Sequence, residues 1–239
     1  MKRILVLIVF FLSVSAAFAG SDSIPTITNA PKPAKKPFVM NVPKDRLVLD
    51  LNATNWIHHH DNGMNTRFYS RGLNLYVMYD LQIKKSRVSF AIGAGISWVN
   101  IYNNSKLTDS TATGAKFTPM VNYFDSVKIN KVTETWIDIP LELRIRTNRD
   151  KLNQLWKFNV GFKVGICVDA YTKTVTTNPT INIKEKPYPD FELFRMGPTL
   201  RIGYSSFNIV GYYGLLGVFK SGRGPSANEF SLGISFNGL

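Results

Sequence analysis

Residues 132–146, VTETWIDIPLELRIR, alternate with a period of two. Ile137, Ile139, Leu141, Leu143 and Ile145 fall on one side. Trp136, Asp138, Pro140, Glu142, Arg144 and Arg146 fall on the other. A strand sends successive side chains to opposite faces, so the pattern predicts one apolar face and one charged face. A helix would mix the two sets, because residues three and four apart share a helical face. The stretch also exceeds the ~5–6 residues usual for a soluble strand. It suits a tilted strand crossing a bilayer, which needs ~9–11 residues.

Seven further segments repeat the pattern. Leu47, Leu49, Leu51 and Ala53 alternate with Asp50, Asn52 and Thr54. Leu73, Leu75, Val77, Tyr79, Leu81 and Ile83 alternate with Asn74, Tyr76, Met78, Asp80 and Gln82. Residues 88–98 set large apolar side chains against Ser89, Ala91, Gly93, Gly95 and Ser97, a face small enough for a narrow barrel interior. Residues 156–170 and 194–202 continue the series. Residues 207–219 are apolar on both faces, and 230–236 close it. The connections are long after strands one, three, five and seven, and short or moderate after two, four and six. Outer-membrane barrels have this rhythm of short periplasmic turns and long outer loops. The expected fold is therefore all-β: an eight-stranded antiparallel up-and-down transmembrane β-barrel over residues 47–239.

The N-terminus changes the picture by naming a compartment. Lys2 and Arg3 precede an apolar run, 4–12, and Ala17-Phe18-Ala19 offers a small-residue cleavage site. Residues 1–19 are expected to be a secretory signal peptide. Residues 20–46 carry Pro25, Pro31, Pro33, Pro37 and Pro43 with Lys32, Lys35 and Lys36, which predicts an extended basic periplasmic linker. Cys167 is the single cysteine, so no intramolecular disulfide can form. The formal charge of +13 points to anionic surroundings. Basic motifs interleaved with aromatics are not evident, so nucleic acid is not an expected partner.

Two closed barrels fit eight strands. A soluble periplasmic lipocalin-like carrier turns its apolar face inward around a ligand, and a membrane barrel turns it outward to lipid. The charges favour the second. The face opposite the large apolar residues holds Asp50, Asp80, Glu134, Asp138, Glu142 and Asp169, with Arg144, Arg146, Lys157, Lys163, Arg195 and Arg201. Matched acids and bases suit pairing in an enclosed space. For Glu142, Lys157 and Lys163 on the next strand are the expected partners, ahead of Arg144 and Arg146. Trp56, Trp98, Trp156, Phe207, Phe219 and Phe230 sit at strand ends, where interfacial girdles belong.

The run Trp136-Ile137-Asp138-Ile139-Pro140-Leu141-Glu142-Leu143, the glycine-alternating third strand and the closing strand resemble the PorT-like outer-membrane β-barrel family. The resemblance covers roughly residues 47–239. It implies a small barrel in the cell outer membrane, with outer-membrane lipid as a partner. It implies no single activity. Some members assist protein secretion or surface assembly, so another protein of such an assembly is a further implied partner.

Candidate chemistry is sparse. His58, His59 and His60 are the only histidines, followed by Asp61. His58 and His60 would share a face, and with Asp61 they are the one place for a metal or for acid–base chemistry. No nucleophile or third ligand stands beside them. Cys167 reads as a small interior residue. No catalytic, cofactor-binding or metal-ligating residue is assigned, and no cofactor is expected. The leading expectation is a non-enzymatic structural or interaction barrel with a filled interior. A carrier and an enzyme or metal site at residues 58–61 are the alternatives.

Overall fold

The computed structural model describes residues 46–58, 64–83, 86–108, 116–119, 127–148, 150, 152, 154–177, 179–185 and 190–238. The expected signal peptide, nearly all of the linker and residues 59–61 of the histidine run lie outside them.

Eight long strands form the barrel: β1 (Leu47–His58), β2 (Arg71–Gln82), β3 (Val88–Tyr102), β6 (Val127–Arg146), β7 (Trp156–Thr176), β9 (Phe194–Tyr204), β10 (Phe207–Gly217) and β11 (Ala227–Asn237). Each has at least 11 residues, enough to cross a bilayer when tilted. Three four-residue strands lie in the long connections. β4 (Ser105–Thr108) and β5 (Lys116–Pro119) form a hairpin, and β8 (Asn182–Glu185) pairs with the end of β7. The sequence pattern predicts these regions as polar loops. In the structure β6 and β7 run on past the expected strand ends, and β8 adds to that extension.

Every barrel strand pairs antiparallel with its chain neighbour among the eight, and β11 pairs with β1 along Val48–Asn237 to His58–Ala227. Closure leaves none of the eight barrel strands at an edge, as a lipid-exposed sheet requires. One end, here the turn end, carries the connections at 83–87, 147–155 and 205–206. The opposite loop end carries 59–70, 103–126, 177–193 and 218–226. The two-residue turn between β9 and β10 holds Ser205 at a positive φ of 56°.

Pro140 sits inside β6, where a missing N–H should break the ladder. The β3–β6 register runs to Ile92–Leu141 and resumes at Gly95–Asp138, so the gap falls opposite Pro140. The β7 side stays paired there, Pro140 with Lys163.

The faces are inverted relative to a soluble barrel. Leu51, Leu75, Val77, Ile92, Ile137, Leu143, Val160, Leu200, Ile209 and Leu232 point outward and are exposed on the isolated chain. Asp50, Asn74, Ser97, Asp138, Glu142, Arg144, Lys163 and Arg201 are buried. A lipocalin-like carrier would need the reverse. β10, apolar on both faces, turns Asn208, Val210 and Tyr212 inward and Phe207, Ile209 and Leu215 outward.

Candidate functional site

The barrel lumen holds the densest chemistry in the described residues, and glycines in β7 shape it. Asp138 on β6 lies opposite Gly165, and Gly165 lies opposite Arg195 on β9. With no side chain between them, acid and base meet across β7. Arg195 Nε donates to Asp138 Oδ1 at 3.0 Å and Nη2 to Oδ2 at 2.6 Å, a bidentate pair. A Cβ on Gly165 would strike Asp138 Oδ1 and lie 3.1 Å from Arg195 Cγ. Arg195 Nη1 also reaches Glu229 Oε2 on β11 at 3.1 Å. The Tyr76 hydroxyl donates to Asp138 Oδ2 at 3.1 Å, and Ser97 donates to the same oxygen. The predicted small face of β3 has its reason here: Tyr76 lies opposite Gly95, whose absent side chain leaves room for the ring.

A second network lies nearer the turn end. Glu142 lies opposite Gly161. Its carboxylate accepts from Arg144 Nε at 2.8 Å, from Asn159 Nδ2 at 3.3 Å and from Arg201 Nη1. Arg201 Nη2 reaches both oxygens of Asp50, at 3.0 and 2.9 Å, and Asn74 Nδ2 lies 3.4 Å from Asp50 Oδ2. Arg144 Nη1 donates to Asp80 Oδ1 at 3.1 Å, and Arg146 bridges Asp80 to Ser89. This chain of contacts links β1, β2, β3, β6, β7 and β9 through the lumen. The expected partners of Glu142 were Lys157 and Lys163; the structure assigns Arg144 and Arg201 instead. Register is the reason. Lys157 lies opposite Arg146 and Lys163 opposite Pro140, whereas the glycine opposite Glu142 lets arginine reach it from β9. Lys163 instead places its ammonium 3.6 Å from the Tyr212 ring centroid.

The loop end of the lumen is mostly apolar, with Glu134 buried in it and accepting from Trp136 Nε1 at 3.0 Å. Trp56, Met64, Val99, Ile101, Val132, Trp136, Phe191, Phe219 and Ala227 form one buried cluster, and Cys167 packs against it. Trp56 meets Phe219 edge-on at 5.8 Å. Two expected girdle residues are therefore inside. Trp56 shares the inward parity of Asp50, Asn52 and Thr54, and Phe219 bridges to Phe191 across the loop end. Trp156, Phe207 and Phe230 do face outward.

Asp169 is a further correction. The β6–β7 register shifts between Thr135 and Trp136, and the extra residue, Val168, reverses the parity of β7 beyond it. Asp169 pairs with outward-facing Thr135 and is only half-buried. Glu229 takes its place inside. The period-two face of Ser231, Gly233 and Ser235, extended one step toward the N-terminus, would have found it. His58 ends β1 at the loop end; the other members of the proposed histidine–aspartate site are outside the described residues.

Residues 51–220 match the family model of the outer membrane protein beta-barrel domain. The chain belongs to this family. It resides in the outer membrane, with lipid against its apolar face. No protein of curated function matches it. Among solved structures, the crystal structure of Ail, the attachment invasion locus protein of Yersinia pestis, is similar over 80% of this chain and 95% of that one. Their sequence identity is 9% and the TM-score 0.33.

Proposed function

We propose that this barrel is a closed, non-conducting and non-catalytic component of the outer membrane that works through interactions. The reading follows the PorT-like resemblance toward an accessory role in protein secretion or surface assembly. The observation that carries it is the lumen. Ion pairs cross it from β6 to β9 and from β9 to β1, and an apolar cluster fills its loop end. An eight-stranded barrel has room inside for side chains and little else. What remains available to a partner is the long loops at one end of the barrel and the short turns at the other.

Planar bilayers test the closed lumen. The purified barrel should give no stable conductance, and reproducible channels of porin size would overturn the reading. The interaction half is tested by purifying the barrel at native expression from detergent-solubilised outer membranes. A secretion or surface-assembly protein should come with it, and recovery of the barrel alone would remove that half.

A further inference from the structure

Above the apolar belt at the loop end, the outward face changes character. Leu73 and Trp98 are paired outward residues of β2 and β3. One outward step beyond them, Arg71 lies opposite Asn100, Asn100 opposite Thr133, and Thr133 opposite Tyr171. One step further, Tyr102 lies opposite Lys131, Lys131 opposite Lys173, and Lys173 opposite Lys184. Three lysines thus stand in direct register on β6, β7 and β8, with Arg71 beside them.

Like charges directly opposite each other on neighbouring strands destabilise a sheet. Part of the repulsion is relieved locally. Lys131 Nζ donates to Asn100 Oδ1 at 2.7 Å and lies 5.7 Å from the Tyr102 ring. Arg71 donates to the Tyr102 hydroxyl at 3.2 Å, and Lys184 lies 3.9 Å from the Tyr171 ring. Lys173, in the middle, has no ion pair among the described residues. On the same face of β7, Asp169 lies two outward positions nearer the lipid belt, toward the barrel middle. Tyr69, packed on Tyr102 at 5.1 Å, and Phe68 beyond it add exposed aromatic surface beside the row.

We infer that this row of Arg71, Lys131, Lys173 and Lys184 binds the phosphate groups of an anionic lipid headgroup in the outer leaflet. Arg71 is one outward position and the three lysines two outward positions above the Leu73–Trp98 pair, two and four residues of strand or ~7 and ~13 Å along the tilted strands, which places the row at headgroup depth. Tyrosines at that depth anchor a barrel at the interface. Basic side chains there gain from anionic lipid and lose their mutual repulsion when a phosphate stands between them. Continuity with the lipid-facing belt commits the site to a membrane lipid over a soluble anion.

The test uses the full chain in phosphatidylcholine vesicles carrying a minor fraction of bis-phosphorylated lipid A, or the same lipid with both phosphates removed. After gentle detergent extraction, native mass spectrometry counts the lipid A retained per barrel. The phosphorylated form should be retained about tenfold or more over the dephosphorylated form. Joint substitution Lys131→Gln, Lys173→Gln and Lys184→Gln should abolish that preference, and Lys173→Gln alone should reduce it roughly fivefold. Removing the same kind of charge at the turn end, Arg46→Gln with Arg87→Gln, should leave it unchanged. Equal retention of the two lipids would overturn the inference, as would an equal loss in the turn-end variant. So would displacement of the lipid by millimolar inorganic phosphate, which would mark a site for free anions. Heat-modifiable gel mobility confirms that each variant is folded, and the single Lys173 variant keeps the inference open to refutation if the triple one is not.

Discussion

Glu142→Ala probes the lumen where its two arginines converge. In the wild type the Glu142 carboxylate holds Arg144 on its own strand and Arg201 on β9, and it accepts from Asn159. All four residues are buried. Breaking a buried ion pair by deleting one member costs ~3–5 kcal/mol, because the remaining charge is left without its counter-ion, whereas an exposed pair is worth ~0–1 kcal/mol. Two considerations place Glu142→Ala near the lower limit. Arg144 retains Asp80, and Arg201 retains Asp50. The expected loss is therefore about 3 kcal/mol. For a domain of this size that corresponds to a fall of roughly 6–12 °C in the unfolding midpoint. Equilibrium urea unfolding of the barrel in lipid vesicles, followed by tryptophan fluorescence, measures the free energy. The temperature at which half the protein loses its compact gel mobility measures the midpoint. Arg87→Ala, an exposed charge at the turn end, is the control and should change stability by less than about 0.5 kcal/mol. If Glu142→Ala unfolds together with Arg87→Ala and the wild type, the carboxylate does not hold buried guanidinium groups, and the ion-pair network is not a source of stability.

Gly165→Ala should cost about 1–3 kcal/mol, because the added Cβ occupies the space through which Arg195 reaches Asp138; the same urea titration reads it, and an unchanged midpoint would show that β7 shifts freely. At the turn end, the Asp150 carboxylate accepts from the Tyr204 hydroxyl and from the backbone N–H groups of Gln154 and Leu152, which hold its pKa below the ordinary carboxylate value. A depressed folded-state pKa gives stability that is fully present above the unfolded value of ~3.9 and is lost as pH falls through the folded value. Asp150→Asn should therefore flatten the acid limb of the stability–pH curve below about pH 4, and an identical limb in the two proteins would discount the turn contact.

The alternation of apolar and polar positions made strand number, closure and facing legible, because a barrel face is a period-two property. What it could not carry was any departure from that period. The bulge at Val168 turned Asp169 outward, and no residue type in the stretch signals it. Trp56 and Phe219 carry a side chain that suits both an interfacial girdle and an apolar plug, and only parity and the Phe191 bridge decide between them. The partners of Glu142 depend on reach. A neighbouring-strand rule favours lysines on β7, but a glycine opposite the acid hands the contact to an arginine one strand further round. Glu229 was within reach of the pattern and lay one step outside the stretch in which the last strand is most regular.

The central claim is that the apolar face meets lipid while the charged face closes the lumen, and β6 offers the most direct measurement. In a Cys167→Ser background, spin labels are placed singly at Ile137, Ile139, Leu141, Leu143 and Ile145 of the full chain in lipid vesicles. Collision rates with oxygen and with a water-soluble nickel chelate are then read by electron paramagnetic resonance. The structure predicts high oxygen and low nickel accessibility at all five, deepest in the lipid near the middle of the set. High nickel accessibility there, or labels immobilised and shielded from both reagents, would place that face in water or inside the barrel and contradict the account.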